Sequence, residues 1–255
     1  MCNRPLPKFS QEMNSVEVES FLASEAPLFL PIGTLEAHGR HLPVGTDTLC
    51  ASKISEELSI SFEGVVAPAI GYGITNSLVQ TSPGSCFPED IYEPYIETII
   101  RGLHSQGFKT IVIINGHGGN MESLKKVARK MTRSINIGLS VIHWWMLSTK
   151  FVEPTFNDKP GGHAAIEETA AMLHFYPTLV TPDNFDKKND SYTPDNGIWL
   201  YPPPGEVLIK EYDKGLPNFD CGKAADFMEK VIDDITCKLR VWMNSFNRIK
   251  GGLRP

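Results

Sequence analysis

Five β-branched residues stand in a row at Thr110-Ile111-Val112-Ile113-Ile114, and Asn115-Gly116-His117-Gly118-Gly119-Asn120 follows directly. An unbroken run of this kind is typical of a parallel strand that is buried on both faces. Such a strand delivers the Gly-punctuated segment to its carboxyl end, which is where open α/β sheets bind ligands. His117 stands there between two glycines, which leave room for a ligand or a substrate.

Strand-like and helix-like segments alternate on both sides of this run. Apolar patterning predicts strands over residues 26–32, 65–70 and 137–146, and helices after Asp47, over 92–103, after Asn120, over 165–175 and over 224–242. We expect Asp47 and Asn120 each to cap the helix that it precedes. The alternation predicts an α/β fold with a doubly wound, mostly parallel sheet.

The domain organisation follows from length and local composition. A chain of 255 residues is long enough for one large domain, and we predict a single domain over residues 1–255. Residues 183–222 differ from the rest because they are rich in Pro, Asp, Asn and Gly. We interpret them as an irregular excursion, a lid or a subunit contact, rather than as a second domain.

A second polar segment follows the first predicted strand and runs from Glu36 to Asp47. Glu36 and His38 are two residues apart, so in an extended backbone their side chains point the same way. Glycines between His38 and Asp47 allow the chain to fold back. Together with His117, these residues offer carboxylates and imidazoles but no thiolate, which suits Zn²⁺, Mn²⁺ or Fe²⁺. A pair of such ions can polarise a carbonyl and lower the pKa of a bridging water.

A third segment, at a loop-to-helix junction, contains His163, Glu167 and Glu168. His163 is free for general acid–base work because the ordinary pKa of histidine lies near neutrality. Trp144 and Trp145 end a predicted strand near the proposed site. Adjacent strand residues face opposite ways, so at most one of the two lines the pocket. We expect Trp144 to be that residue and to bind substrate together with Gly118 and Gly119.

Each of these side chains also has a simpler structural explanation. Asp47 can be only a helix cap, His117 a turn residue and His163 a surface residue before a helix. Acidic residues at 167 and 168 can simply favour the helix dipole in a first turn. The combination on three strand-end loops favours a metal site over these separate explanations.

The composition of the chain argues against several classes of protein. The formal net charge is −6 and no basic run stands out, so no nucleic-acid partner is predicted. The 5 cysteines are scattered without a C-x-x-C pair, which indicates free thiols in a reducing compartment. Neither residues 1–20 nor any other stretch has the apolar length of a signal peptide or a membrane span. We therefore expect a cytoplasmic protein without a membrane partner.

Three motifs resemble those of the creatininase family of metal-dependent amidohydrolases. Residues 31–39 with 41–47, and residues 115–120, carry the specific part of the resemblance, and Gly162-His163 with Glu168-Thr169 is similar to the third motif. The resemblance extends over about residues 20–245. It implies a three-layer α/β/α fold, a centre of two metal ions and commonly a homo-oligomer, a hexamer. It also implies the following roles: Glu36, His38, Asp47 and His117 as metal ligands with Asp47 bridging, His163 as the catalytic acid–base residue, and Glu168 at or near the metals.

The chain also departs from the members of that family that act on creatinine. Those members have Tyr and Glu directly after the His of the second motif, where this chain has Gly118 and Gly119. They carry a Trp four residues before the acid–base His, where this chain has Lys159. Residues 74–85 keep only Pro83-Gly84-Ser85 of the family pattern. Glu168 is therefore the best replacement for the missing ligand, and creatinine is a doubtful substrate.

These observations predict an amidohydrolase that uses two divalent metal ions to hydrolyse a C–N amide bond of a small molecule, cyclic amides included. With Gly118 and Gly119 after His117, the second motif resembles that of family members that deformylate a pyrimidine nucleotide intermediate or process a peptide-derived redox cofactor. A formamide deformylase of a flavin-type pathway is therefore one alternative. A catalytically silent metal- or ligand-binding protein is the other.

Overall fold

The computed structural model describes residues 5–252 except 77, 79–85, 196 and 199, and only the backbone at 247 and 249–252. The predicted feature Pro83-Gly84-Ser85 lies outside the described residues. The central sheet has five parallel strands in the order β1-β3-β2-β4-β5. These strands are β1 (Lys8–Phe9), β2 (Leu28–Ile32), β3 (Val65–Val66), β4 (Thr110–Asn115) and β5 (Gly138–His143).

Helices precede, connect and follow the strands. They are α1 (Ser15–Ala23), α2 (Thr46–Ser61), α3 (Glu89–Gln106), α4 (Met121–Ser134), α5 (Trp144–Ser148), α6 (Val152–Phe156), α7 (Ile166–Phe175), α8 (Lys187–Asp190) and α9 (Cys221–Gly252). None of these described helices is long and apolar enough to cross a membrane.

The core lies in two layers, one on each face of the sheet. Successive residues of β2 alternate between them: Leu28 and Leu30 pack against α3 and α4, whereas Phe29 packs on the side of α2, α7 and α9. Strand β4 alternates in the same way, with Ile111 on one face and Val112 on the other. A central strand that is apolar at every position suits burial on both faces. The three-layer α/β/α prediction with a mostly parallel sheet is confirmed.

Strand register brings the predicted motifs to one edge of the sheet. Ile32, the last residue of β2, lies opposite Asn115, the last residue of β4, and Asn115 lies opposite His143 at the end of β5. Because the three strands are parallel and end level with one another, the chain leaves each of them at the same place. The segments that begin at Gly33, Gly116 and Trp144 therefore start side by side.

The excursion at 183–222 contributes to a second, smaller sheet. Its strands are β6 (Gly162–His163), β7 (Ser191–Tyr192) and β8 (Val207–Ile209), in the order β6-β8-β7. Strand β8 pairs antiparallel with β6, so that Leu208 lies opposite His163. The excursion is thus more ordered than its composition suggests, and part of it lies directly beside His163.

Two kinds of local prediction were wrong. The predicted strands over 65–70 and 137–146 are shorter, and Trp144 and Trp145 begin helix α5 instead of ending a strand. Asp47 lies inside the first turn of α2 and Asn120 makes no capping hydrogen bond to α4. In both residues the polar side chain is used elsewhere: Asp47 contacts His38, and Asn120 accepts the N–H of Ile74. Long-range contacts have outweighed the local capping preference.

Substitution of a glycine inside α3 and of the glycine that follows α3 should change stability in opposite directions. A Cβ on the exposed Gly102 meets no atom within 4 Å, so Gly102→Ala should raise the free energy of unfolding by about 0.5–1 kcal/mol through helix propensity. Gly107 ends the helix at a φ of +113°, which L residues disfavour. Gly107→Ala should therefore lower that free energy by about 1 kcal/mol. Urea denaturation of both variants checks the prediction, and shifts of the same sign would contradict it.

Candidate metal centre

Six side chains from three parts of the chain converge beyond the carboxyl ends of β2 and β4. The predicted metal ligands are all buried, with relative exposures between 0% and 6%: Glu36, His38, Asp47, His117 and Glu168. His163, at the end of β6, lies beside them and is partly exposed. The structure thus brings together the predicted ligands and the predicted acid–base residue.

The carboxylate of Asp47 lies at the middle of this cluster. Its Oδ2 is 2.9 Å from Nδ1 of His117, and its Oδ1 is 3.0 Å from Nε2 of His38. Glu36 approaches the same nitrogen of His117, with Oε1 at 3.1 Å. Glu168 approaches His38, with Oε2 at 3.7 Å from Nε2. The two oxygens of Asp47 therefore face two different imidazoles, each of which also faces a second carboxylate.

The three histidines share one hydrogen-bonding arrangement. Nδ1 of His38 donates to the carbonyl of Glu36 at 3.0 Å, Nε2 of His117 donates to Ile74 at 2.8 Å, and Nε2 of His163 donates to Ala37 at 2.7 Å. A carbonyl oxygen only accepts, so these nitrogens carry the ring protons. In the neutral ring the remaining nitrogen therefore presents its lone pair to the carboxylates. Metal-binding histidines are oriented in this way.

The pKa shifts in the cluster also indicate a site for positive charge. Burial opposes a charge on His38, but the carboxylates of Asp47, Glu168 and Glu36 together outweigh it and raise the pKa of His38 to about 10. Burial likewise opposes the charge on His117, while Glu36 and Asp47 raise its pKa. Burial raises the pKa of Glu168 to about 8. Protons on the imidazoles thus balance the buried carboxylates, and a bound cation would replace them, so metal affinity should fall as pH falls.

The donor set fits two divalent cations. Glu36, Asp47 and His117 form one group whose candidate ligand atoms lie within 4.8 Å of one another, and His38, Asp47 and Glu168 form a second. Each group has two carboxylates and one imidazole, and only Asp47 belongs to both. A third group of candidate ligands has one carboxylate and two imidazoles, those of Glu36, His38 and His163. Oxygen and imidazole donors of this kind suit Zn²⁺, Mn²⁺ or Fe²⁺.

Glycines of the second motif allow the close approach of these segments. A Cβ on Gly116 would lie 2.1 Å from the carbonyl oxygen of Asp47. A Cβ on Gly119 would lie 2.0 Å from the carbonyl oxygen of Ile74, the acceptor of His117. A Cβ on Gly118, in contrast, meets no atom within 4 Å. Two of the glycines therefore serve packing at the cluster, while Gly118 leaves open space.

Two adjacent acids hold the loop that carries His163. Oε2 of Glu168 accepts the N–H of Ala164 at 2.6 Å, and Oε2 of Glu167 accepts the N–H of Gly161 at 3.2 Å. Ala164 has a φ of +54°, an unusual conformation for alanine, so this loop needs such support. Glu167, which the sequence analysis placed in the third polar segment with the helix dipole as a simpler explanation, is thus buried and supports the backbone on the amino side of His163.

A cavity of about 320 Å³ opens over the cluster. Gly118, Gly119 and His163 line it, as predicted, but Trp144 does not: it is completely buried in the core, and Trp145 lines the cavity instead. The prediction for Trp144 assumed the end of a strand, but Trp144 and Trp145 begin helix α5. Successive residues of a helix point about 100° apart rather than to opposite faces. Five further residues of the described lining had no motif to reveal them: Ile74, Asn76, Leu78, Leu208 and Lys210.

Two further residues, Lys159 and His41, are absent from the described lining of the cavity. Lys159 pairs with Glu153, with Nζ 3.3 Å from Oε1, and is absent from the cavity lining among the described residues. It therefore supplies no wall where creatinine-acting proteins have Trp. Nε2 of His41 lies 3.1 Å from Oγ1 of Thr169, next to Glu168 in α7.

Comparisons with known proteins find relatives of this chain. A family profile named Creatininase and described as creatinine amidohydrolase matches residues 11–215. Creatinine amidohydrolase of Pseudomonas putida is 25% identical over 194 residues, which cover 69% of this chain and 74% of that protein. Mycofactocin precursor peptide peptidase of Mycolicibacterium smegmatis is 28% identical over 172 residues, covering 64% and 63%. 2-Amino-5-formylamino-6-ribosylaminopyrimidin-4(3H)-one 5'-monophosphate deformylase of Methanococcus maripaludis is 31% identical over 122 residues, covering 46% and 52%.

Solved structures match over most of the chain. A crystal structure of creatinine amidohydrolase has a TM-score of 0.77 at 20% identity and covers 91% of this chain and 96% of its own. A manganese form of creatininase has a TM-score of 0.76 at 21% identity, covering 92% and 98%. A form described as Zn-Zn has a TM-score of 0.73 at 22% identity, covering 91% and 96%. The chain spans between 37% and 74% of the lengths of the curated relatives that it matches.

The neighbouring glycines 118 and 119 provide a matched test of the packing argument. Gly119→Ala places a methyl group against Ile74 and the ring of His117, so it should displace His117 and lower both metal content and stability, the latter by about 1–3 kcal/mol. Gly118→Ala should change neither, because its methyl group enters open space. Elemental analysis and urea denaturation measure both effects. A Gly119→Ala protein with wild-type metal content and stability would contradict the argument.

Proposed function

The chain belongs to the creatininase family, and we propose that it is a two-metal amidohydrolase that cleaves a C–N amide bond of a small molecule. The observation that carries the proposal is the pair of buried ligand groups that share Asp47 below an open cavity. The family is one of hydrolases that act on C–N bonds. The number of ions, the residue roles and the substrate are the parts that we propose.

The proposed ligands fall into two sets. Glu36, Asp47 and His117 hold one ion, and His38, Asp47 and Glu168 hold the other. The chemistry of the donors favours Zn, Mn or Fe, and solved relatives described as manganese and Zn-Zn forms support this choice. When bound, two such ions would polarise the carbonyl of the substrate and activate a water molecule. The protein contributes fixed ligand orientation, through the backbone carbonyls that accept from each imidazole.

We propose that His163 is the general acid–base residue that transfers a proton to the leaving nitrogen of the substrate. Its Nε2 is committed to the carbonyl of Ala37, so Nδ1 is the nitrogen that is free to exchange a proton. Nδ1 faces the cluster, 3.3 Å from Oε1 of Glu36. Burial and the adjacent His38 lower the pKa of His163, so its ring is neutral near pH 7 and can accept a proton before it donates one to the leaving nitrogen.

The backbone of the second motif is proposed to contact the substrate. Gly118 and Gly119 line the cavity next to His117, and N–H groups in such a place can donate to an oxyanion. Trp145 offers an aromatic wall in place of Trp144. Creatinine is a poor candidate, because Gly118 and Lys159 provide none of the aromatic surface that a small flat ring would contact.

A formamide deformylase is the second candidate, and the similarity to the Methanococcus maripaludis deformylase supports it. A small cavity over two ligand groups suits a formyl group as well as a larger amide. The silent-binder alternative is disfavoured by the placement of His163, which a passive metal site does not need. A homo-oligomer, a hexamer by resemblance, and a cytoplasmic location stay predictions.

Removal of the shared ligand tests the metal centre. Asp47→Ala should lose most of both ions, because both groups contain Asp47, whereas Asp190→Ala removes a buried carboxylate elsewhere and should keep them. Elemental analysis of the purified proteins measures the content. Chelation should abolish hydrolysis of small amides, lactams or formamides by the wild type, and added Zn, Mn or Fe should restore it. A fully loaded Asp47→Ala protein would refute the shared role.

Substitution of His163 tests the proton transfer. His163→Gln should keep both ions but lose roughly 10²–10⁴-fold in turnover, the usual contribution of a general acid–base. His104→Gln, in α3 and absent from the described cavity lining, serves as the control and should keep wild-type activity. Near-normal turnover of the His163→Gln protein would exclude the role. Loss of an ion would instead make His163 a ligand.

A further inference from the structure

The described lining of the cavity contains a single lysine or arginine, Lys210. Every other charged side chain in that lining belongs to the cluster of carboxylates and imidazoles at the floor of the cavity. The cation is therefore separate from the proposed metal ligands, and the chemistry proposed above gives it no task.

The base of the Lys210 side chain is held in place by the small sheet. Lys210 follows β8 directly, and its N–H donates to the carbonyl of Gly161 at 3.2 Å. Its Cγ lies 4.0 Å from the position that a Cβ on Gly162 would occupy, so the stem passes over the residue before His163. The Lys210 side chain therefore extends from a fixed backbone position close to His163.

No ion pair occupies this ammonium group among the described residues. Some lysines outside the cavity have carboxylate partners, for example Lys159 with Glu153, Lys150 with Asp234 and Lys187 with Asp213. Lys210 has no carboxylate oxygen within 4.0 Å in the described part of the chain. It interacts electrostatically with the buried Glu167, whose Oε2 accepts from Gly161. Lys210 therefore remains available to a ligand.

A cation in this position selects for the charge of the substrate. Lys210 is exposed as well as part of the cavity lining, so a ligand bound there can supply an anion to its ammonium group. A carboxylate or phosphate does so through charge-assisted hydrogen bonds, whereas a neutral amide does not. The cavity of about 320 Å³ requires the anionic group to lie only a few bonds from the amide.

We propose that Lys210 binds an anionic group of the substrate, so that the preferred substrates are small amides that carry a carboxylate or a phosphate. This inference rests on the proposed amidohydrolase function and deepens it. Lys210 acts as a specificity-determining residue: it contacts the substrate but none of the reacting atoms. Its removal should raise KM for anionic amides and leave kcat nearly unchanged.

Matched probes test the proposal on the metal-loaded protein. N-Formylglycine and its neutral amide, N-formylglycinamide, form the carboxylate pair. 2-Formamidoethyl phosphate and N-(2-hydroxyethyl)formamide form the phosphate pair. The variants are Lys210→Ala, Lys210→Arg and, as a control with the same loss of charge, Lys214→Ala, at a position that is exposed like Lys210 but lies outside the cavity lining. Steady-state kinetics and titration calorimetry give KM, kcat and direct binding.

The wild type should prefer the anionic member of at least one pair, and the preferred pair tells carboxylate from phosphate. Lys210→Ala should raise its KM and weaken its binding by about 10- to 100-fold, the worth of a hydrogen bond to a charged group. Lys210→Arg should restore most of the loss, and Lys214→Ala should behave as wild type. Added salt should weaken anion binding more in the wild type than in Lys210→Ala.

The possible failures are distinguishable. Equal effects of Lys210→Ala on anionic and neutral probes, or equal effects of Lys210→Ala and Lys214→Ala, would overturn the role of Lys210 while leaving amide hydrolysis intact. Lys210-dependent binding of an anionic probe without hydrolysis of any probe would support the role of Lys210 and contradict the amidohydrolase. Absence of both hydrolysis and anion-selective binding counts against both.

Discussion

The rest of the site depends on one carboxylate between two imidazoles. Asp47 presents Oδ2 to His117 and Oδ1 to His38, each at about 3 Å, and the residue is only 2% exposed. Acceptors this close repel one another unless a proton or a cation lies between them. The cluster therefore has a built-in requirement for positive charge, and the other carboxylates increase it. We interpret the surrounding fold as the scaffold that keeps these groups together despite that repulsion.

Backbone carbonyls and the side chain of Asn120 supply much of this scaffold. Each imidazole of the cluster is oriented by a carbonyl, and the carbonyl that orients His117 belongs to Ile74, in the loop after β3. Asn120 holds that loop: its Oδ1 accepts the N–H of Ile74, and its Nδ2 donates to the carbonyl of Gly33. One side chain thus connects the segments that follow β2, β3 and β4. Glycine at positions 116 and 119 lets these segments approach closely enough for the connection to form.

The chemistry and the specificity of the site come from different parts of the structure. The proposed ligands lie on the loops that follow β2 and β4 and on helices α2 and α7, and all of them are buried. The cavity walls come from Trp145, from the loop near Asn76 and from the small sheet that presents Leu208 and Lys210. Changes in the walls leave the ligand groups in place. Such a separation is consistent with the different activities of the similar proteins, which are an amidohydrolase, a peptidase and a deformylase.

The sequence by itself determined the sheet, its parallel character and the set of polar residues at its carboxyl edge. Runs such as residues 110–114 and segments such as 115–120 carry that information in local order, because burial pattern and glycine spacing act between near neighbours. Only the tertiary structure decided that Trp145 rather than Trp144 faces the cavity, that Asp47 and Asn120 use their side chains for long-range contacts instead of caps, and that Lys210 reaches the site. Each of these outcomes depends on where a strand ends or on which distant loop lies alongside, and such contacts leave no periodic signal in the chain.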